Sequence, residues 1–264
     1  MENNEIIHST IIIETEEDVG TGFIVDFETK ESKQCLFIIT NPHVVKSKAD
    51  DSIYEEIKVT LTVKNSYSSI LHMDYVIKDV KRKIFFHNDD KCELCAIYFQ
   101  EDAEKIAKNG NRFVYPPLEM GDICTEDELL SSSTISEVYV VGYPDDSIDK
   151  ENNLPMVRSG VTATPMYSSY NGRNEFVVDA GVWKGNSGSP VFINLSGCCK
   201  LVGIVYYSQE PSKELNLLNC TYVKGFAQIP TGLGYVIKSF ELIKLWRKVG
   251  SLLINNGGNY ERKC

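Results

Sequence analysis

Short apolar runs, separated by polar residues and turn formers, recur along the whole chain. In Ile57–Val63, apolar and polar residues alternate, which is the pattern of a strand with one buried face. Many short strands with turns between them are typical of a β-sandwich or a β-barrel. The predicted strands are Ile11–Glu14, Gly22–Phe27, Gln34–Thr40, Ile57–Val63, Tyr75–Val80 and Cys95–Phe99, then Glu137–Gly142, Met156–Ala163, Phe176–Asp179, Pro190–Leu195, Leu201–Tyr207 and Tyr222–Ile229.

Two segments have a helical pattern instead. Asp102–Lys108 is short and stops before Gly110, while Tyr235–Ile254 is long, with apolar residues on one face. We expect the long helix to pack on the strands or to dock a partner. Lys108–Ser136 has little regular pattern and divides the predicted strands into two sets of six. This organisation predicts an all-β protein with domains at residues 1–115 and 116–234, followed by a terminal helix and tail at 235–264.

Charge and hydropathy exclude some functions. The formal net charge is −10, so the chain is not expected to bind nucleic acid, which requires a basic face. No apolar run is long enough to cross a membrane, and residues 1–20 do not resemble a signal peptide. We therefore expect a cytoplasmic protein with no membrane partner.

Eight cysteines are present, and in a reducing compartment they are expected to be free, small core residues. A zinc site built from Cys92, Cys95, Cys198 and Cys199 is the alternative. It is disfavoured because a spacing of three on a strand directs the first two thiols to opposite faces. We expect no metal and no organic cofactor.

The chemistry of the chain is concentrated around Ser187, in the run Gly185–Pro190. A serine hydroxyl becomes a useful nucleophile when a base takes its proton and N–H groups stabilise the oxyanion that forms. Glycine permits the tight bend that directs such N–H groups to one point. The backbone N–H groups of Gly185 and Ser187, on either side of Asn186, are the candidate oxyanion hole.

A candidate base lies far upstream of this run. His43 directly follows Asn41 and Pro42 at the end of a predicted strand. It could accept the proton of Ser187 and return it to a leaving amine.

Together these segments resemble the trypsin-like peptidase family, near its HtrA-type and intracellular bacterial branches. The resemblance lies in Gly20–Val25, Ile39–Val44 and Gly185–Pro190, and extends from about Ile11 to Ile237. It implies two six-stranded antiparallel β-barrels of the chymotrypsin type, with the site in the cleft between them. It also implies a serine endopeptidase that acts on protein or peptide substrates.

The third member of the triad departs from the family pattern. Glu93 stands where the family has an aspartate, just before an apolar strand. Its task would be to hold the His43 imidazole in one tautomer and to stabilise the imidazolium. Asp90 or Asp89 could take this role from the preceding turn, and absence of a working acid would leave a weak or inactive enzyme.

The resemblance also assigns a primary substrate pocket. Its residues would be Gly181 at the base, with Val182, Tyr206, Tyr207, Ser208 and Gly225 as lining. No acidic side chain is expected at the base, so we expect cleavage after small or apolar residues rather than after Arg or Lys. Lys184 or Arg173 would instead favour acidic residues if either reached the pocket.

Regulation is expected to differ from that of secreted zymogens. These mature by cleavage, and the new N-terminus pairs with an aspartate just before the serine, where this chain has Asn186. Control by a partner protein or a loop rearrangement is the expectation, with bacterial defence as one setting. The alternative function is a pseudo-protease that binds proteins without cleaving them.

Overall fold

The structure is a computed structural model that describes residues 3–27, 34–114, 116–144, 149, 151–195, 197–216 and 224–255. Antiparallel strands dominate it, which confirms the predicted all-β class. Most of the strands form two assemblies, one in each half of the chain, and a long helix follows them.

The first half forms one sheet. Its helices are α1 (Asn3–His8), α2 (Val80–Lys83) and α3 (Gln100–Lys108). Its strands are β1 (Thr10–Glu14), β2 (Val19–Asp26), β3 (Leu36–Thr40), β4 (Ile57–Lys64), β5 (Ile70–Ile77), β6 (Ile84–Phe86), β7 (Cys95–Tyr98), β8 (Arg112–Phe113) and β9 (Leu118–Glu119). The strand order is β5-β4-β1-β2-β3-β7-β6, with β8 on β4 and β9 on β2. The short strands β6, β8 and β9 were not predicted, because two or three residues are too few to show a period.

The second half forms a closed barrel. It contains α4 (Glu126–Leu130) and the strands β10 (Glu137–Gly142), β11 (Met156–Thr162), β12 (Glu175–Asp179), β13 (Pro190–Leu195), β14 (Cys198–Ser208), β15 (Ser212–Asn216), β16 (Lys224–Gln228) and β17 (Leu233–Lys238). The barrel order is β10-β11-β12-β17-β14-β13, so it has six strands, the number that the sequence predicts. Its sixth strand is β17, however, and the described part of the predicted strand Tyr222–Ile229 contains β16, which lies outside the barrel. Strands β15 and β16 form a separate hairpin.

The terminal helix, α5 (Ser239–Asn255), begins later than predicted. Tyr235 and Val236 belong to β17, where they pair with β12 and β14 and close the barrel. The error arose because Val236 falls in phase with the apolar face of the helix that follows. The predicted domain boundary at 234/235 therefore divides a strand of the barrel.

Helix α5 packs against both halves of the molecule. Leu242, Leu245 and Val249 share one buried core with residues of β2, β3, β13 and β14. Trp246 contacts Phe27 of the first half in a tilted arrangement, at 6.0 Å between ring centroids. None of the described helices is long and apolar enough to cross a membrane.

Candidate active site

Ser187 lies in the loop between β12 and β13, where both halves hold the backbone. The Ser187 carbonyl accepts a hydrogen bond from the Thr21 N–H of β2 at 2.9 Å. The next N–H, of Gly188, donates to the Val205 carbonyl of β14 at 2.8 Å. The position of the candidate nucleophile therefore depends on the contact between the two halves.

The loop requires glycine on both sides of Asn186 and Ser187. Gly185 and Gly188 have φ values of 88° and 87°, in the region that glycine adopts without strain. A Cβ on Gly188 would also overlap the Thr21 carbonyl oxygen and lie 2.6 Å from Thr40 Oγ1. The Gly-Asn-Ser-Gly run thus has a steric reason for its second glycine.

The N–H groups of Gly185 and Ser187 are available to a ligand. Within the described part of the chain, neither donates to a protein acceptor. The Asn186 N–H, by contrast, donates to the Trp183 carbonyl at 3.1 Å. Of the three residues expected at the oxyanion hole, Gly185 and Ser187 therefore retain free donors, and Asn186 forms the turn that separates them.

The Thr21 side chain holds this loop, a role that the sequence analysis does not predict. Its hydroxyl donates to the Gly185 carbonyl at 2.9 Å and accepts from the Tyr143 N–H at 3.0 Å. Thr21 is fully buried. The only sequence signal was its place within Gly20–Val25, a segment that resembles the peptidase family.

His43 lies in a 3₁₀ turn, Pro42–Val44, that directly follows β3. Proline suits the start of such a turn because it lacks an N–H and has a fixed φ. Pro42 and Val44 are buried, whereas the His43 side chain is 46% exposed. The imidazole is therefore presented to solvent from a rigid base.

Glu93 is the acid that meets this histidine. Its Oε2 lies 3.2 Å from His43 Nδ1. A carboxylate at Nδ1 favours a proton on that nitrogen, which leaves Nε2 as the acceptor. Asn41, which the sequence did not single out, joins the two segments by donating from Nδ2 to the Glu93 carbonyl at 2.5 Å.

Neither alternative acid contacts the histidine in the described structure. Asp90 and Asp89 are both exposed, and Asp89 Oδ1 accepts from the Lys91 N–H. The hydrogen bond with His43 lowers the pKa of the Glu93 carboxyl below its ordinary value, against the opposing effect of burial. Glu93 is therefore the only one of the three predicted acids that is paired with His43 and held ionised.

Ser187 and His43 lie on adjacent loops, but no hydrogen bond between their side chains is among the described contacts. The two segments approach each other at Gly188, where a Cβ would lie 2.6 Å from Oγ1 of Thr40, the last residue of β3 and three residues before His43. Catalytic hydrogen bonds are often long without substrate and shorten when it binds. The arrangement thus holds an acid–base pair and a serine on neighbouring loops.

The predicted pocket residues do not all lie together. Gly181 and Val182 follow β12, and the Val182 N–H donates to the Gly232 carbonyl at 3.0 Å. Ser208 pairs with Gly234 of β17, not with Gly225. Gly225 instead pairs with Leu215 in the β15–β16 hairpin, so the structure does not place it beside the other predicted lining residues.

The two tyrosines of this set differ in orientation. The Tyr206 hydroxyl donates to Glu175 Oε2 at 2.8 Å, and its ring packs against the core. Tyr207 is 50% exposed and contacts Tyr235 edge to face, at 5.4 Å between ring centroids. Tyr207 therefore offers an aromatic surface to a substrate, whereas the Tyr206 hydroxyl is already paired.

Three possible metal ligands lie close together next to Glu93, one of them on the residue that precedes it. The ligand atoms of His87, Cys92 and Glu241 all lie within 4.8 Å of one another. His87 Nδ1 accepts from the Asp89 N–H, so Nε2 carries the proton and donates to Glu241 at 3.0 Å. A ligating histidine has the opposite arrangement, in which its other nitrogen donates. The geometry favours a hydrogen-bonded network that joins α5 to the first half.

The described cysteines likewise show no zinc-binding geometry. Cys92 and Cys95 do not group with Cys198 and Cys199 in the described structure, and the six described cysteines are free. Burial raises the pKa of the Cys92 and Cys95 thiols, so both stay protonated at neutral pH. These residues are packed as small apolar side chains.

Residues 20–204 match the sequence model of the trypsin-like peptidase domain, which is more than half of the chain. A search of curated protein sequences finds no match.

Solved protease structures share the fold at low identity. A Glu endopeptidase in complex with MPD has a TM-score of 0.53 and 13% identity, covering 95% of this chain and 95% of its own. The thermostable serine protease AL20, from an extremophilic microorganism, has a TM-score of 0.51 and 9% identity, covering 92% and 95%. The Rv3671c protease in an inactive form has a TM-score of 0.48 and 17% identity, covering 93% and 90%. At these identities, the two likenesses with TM-scores above 0.5 show the fold alone.

Proposed function

Because the chain belongs to the trypsin-like peptidase family, we propose that it is a serine endopeptidase with Ser187 as its nucleophile. The observation that carries the proposal is the His43–Glu93 contact of 3.2 Å, next to a loop with two free N–H donors. The contact with Glu93 leaves His43 Nε2 as the base for the serine, and the two N–H donors provide a place for the oxyanion.

The reaction proceeds in two acyl-transfer steps. Ser187 Oγ attacks the peptide carbonyl while His43 Nε2 accepts the hydroxyl proton. The N–H groups of Gly185 and Ser187 bind the resulting oxyanion. As the intermediate collapses, the C–N bond breaks and His43 returns its proton to the leaving amine. Water then cleaves the acyl-enzyme by the same route, and Ser187 regains its proton.

Glu93 supports both steps without taking the proton itself. Its carboxylate holds Nδ1–H and stabilises the imidazolium that forms transiently. A glutamate has one methylene more than the family's aspartate. The segment that carries Glu93 is fixed by Asn41, whose side chain holds the Glu93 carbonyl. We therefore assign the acid of the triad to Glu93.

A fluorophosphonate probe, which reacts with activated serines, tests the proposal. We expect labelling of the wild-type protein, none of Ser187→Ala, and weak labelling of His43→Ala. Cleavage of an unfolded protein substrate should follow the same order. A folded wild-type protein that neither labels nor cleaves would refute the enzyme and favour the pseudo-protease that only binds proteins.

Control by a partner protein is a separate part of the proposal. It is supported by Asn186, which stands just before Ser187, where secreted zymogens have the aspartate that pairs with a new N-terminus. Activation by that pairing is therefore not open to this chain. Full activity of the purified lone protein, in a single monomeric size-exclusion peak, would exclude this form of control and leave the peptidase activity in place.

A further inference from the structure

We propose that Arg158 gives the peptidase a preference for an acidic side chain, glutamate or aspartate, at the residue before the scissile bond. The inference rests on the proposed function and names the substrate class of that site. Arg158 lies on β11, opposite Val140 of β10, and its side chain reaches the segment that leads from β12 to Ser187. The sequence did not suggest it, because Arg158 lies 29 residues before the serine.

The Arg158 guanidinium occupies the space that a side chain at position 181 would fill. An ideal Cβ on Gly181 would lie 2.6 Å from Arg158 Nη1, with no other atom beyond this side chain in contact. The family resemblance places the base of the primary pocket at Gly181. The guanidinium of Arg158, on β11, thus occupies the space that a side chain at position 181 of the loop would occupy.

Trp183 fixes the orientation of this cation. The Arg158 Cζ lies 4.8 Å from the centroid of the indole ring, a cation–π contact. The Trp183 side chain is 47% exposed, so the stacked pair borders solvent. Stacking on one face of a guanidinium leaves its edge, with its fork of N–H donors, free to bind a planar anion.

Arg158 has no anionic partner in the described structure. No carboxylate among the described residues forms an ion pair with it, and its buried Nε lacks a hydrogen-bond acceptor. The two cations that the sequence suggested are both paired. Lys184 lies 3.2 Å from Asp18, and Arg173 lies 3.4 Å from Glu175. A guanidinium without an acidic partner requires explanation, and a substrate carboxylate that reaches its outer nitrogens would supply that partner.

The surroundings of Gly181 are otherwise nearly free of side-chain charge. Val182 is buried against Gly234, and the Gly232 backbone covers Gly181. One acid lies nearby, the exposed Asp179, whose Oδ1 is 3.7 Å from the place of a Cβ on Gly232. Asp179 does not pair with Arg158. If Asp179 bound the substrate instead, the pocket would favour a basic residue.

A glutamate or aspartate side chain matches the free donors of Arg158. Its carboxylate can accept two parallel N–H hydrogen bonds from the guanidinium, an arrangement that a neutral amide satisfies poorly. Charge-assisted hydrogen bonds of this kind predict a preference of about 30-fold for glutamate over the isosteric glutamine.

The test uses peptides that differ only in the residue before the scissile bond, which is Glu, Gln, Leu or Arg. We expect the wild-type kcat/KM for Glu to exceed that for Gln by about 30-fold. In Arg158→Met, which keeps the length of the side chain, the ratio should fall to about one. Lys184→Met removes a paired cation from the same loop and should keep the wild-type ratio. A wild-type preference for Leu, or one for Arg that Asp179→Asn abolishes, would overturn the proposal.

Binding to a protein that cannot turn over separates this inference from the proposed function. In Ser187→Ala, product peptides ending in Glu should bind about 30-fold more tightly than those ending in Gln, and Arg158→Met should remove the difference. Equal affinities in Ser187→Ala would refute the acidic preference even if the wild type is active. Selective binding by a protein without fluorophosphonate labelling would retain the acidic site and refute the peptidase.

Discussion

Replacing Thr21 by valine tests how strongly the active-site loop depends on a side chain from the opposite half. Valine has nearly the shape of threonine but no hydroxyl. The change leaves the Tyr143 N–H and the Gly185 carbonyl without the partners that lie 3.0 Å and 2.9 Å away. Thr21→Ser is the matched control, because it keeps the hydroxyl and removes one methyl group.

The expected magnitude follows from these two hydrogen bonds. Each contributes about 1 kcal/mol to stability, and a buried group left without a partner costs about 1–3 kcal/mol. Thr21 and Tyr143 are at most 1% exposed, so water cannot replace the lost partner. We expect Thr21→Val to lower the free energy of unfolding by about 3 kcal/mol, or about 6–12 °C in Tm. Thr21→Ser should cost about 1 kcal/mol, the value of one buried methyl group.

Kinetics separate a positioning role from general destabilisation. Thr21 holds the peptide group that follows Gly185, and a displacement near 1 Å at a catalytic group can cost about 100-fold in rate. At a temperature where every variant is folded, Thr21→Val should lower kcat by about 10- to 100-fold, while KM changes little. Unchanged kcat together with lower stability would show that the Thr21 hydroxyl supports the fold and not the oxyanion loop.

Three further predictions concern other parts of the site. Glu93→Gln should lower kcat by about 10³- to 10⁴-fold in steady-state assays, while Asp90→Asn changes it less than about twofold; a large effect of Asp90→Asn would move the acid of the triad. Although burial alone would raise it, hydrogen bonds from neighbouring groups lower the pKa of Glu241 from 4.5 to about 2. The ionised carboxylate should thus contribute about 3 kcal/mol above pH 5, lost as the pH falls toward 2, so urea titrations of wild type and Glu241→Gln should converge at low pH. Gly188→Ala should abolish labelling because its Cβ overlaps β2, whereas Gly172→Ala, which also has positive φ but open space, should label normally.

The sequence was sufficient to predict those candidate catalytic residues that lie in a recognisable local motif. Ser187 and His43 each lie in a compact run whose residue types serve the chemistry directly. Glu93 could be placed because it precedes an apolar strand. The contact with His43 then distinguished it from Asp90 and Asp89, a choice that spacing alone left open.

The residues that the sequence missed act across large separations. Thr21 contacts groups 122 and 164 residues away, and nothing in its own segment indicates these partners. Arg158 lies on a strand whose register determines which loop its side chain meets. The same limit explains the wrong prediction of Gly225 as a pocket residue. Gly225 resembles a family glycine in sequence, but it is Gly234 that pairs with Ser208 in the barrel.

The position of α5 has a consequence for the order of events during translation. The first half of the chain leaves the ribosome early, but the core around Phe27 and Phe37 is completed by Leu242, Leu245 and Val249 of α5. N-terminal segments generally fold first during synthesis. The apolar surface that α5 covers in this half would therefore stay exposed until α5 emerges. His43 and Glu93 belong to this first half, and the Ser187 carbonyl accepts a hydrogen bond from Thr21 of its strand β2. We therefore expect the nascent chain to acquire a complete site only after its last described helix has docked.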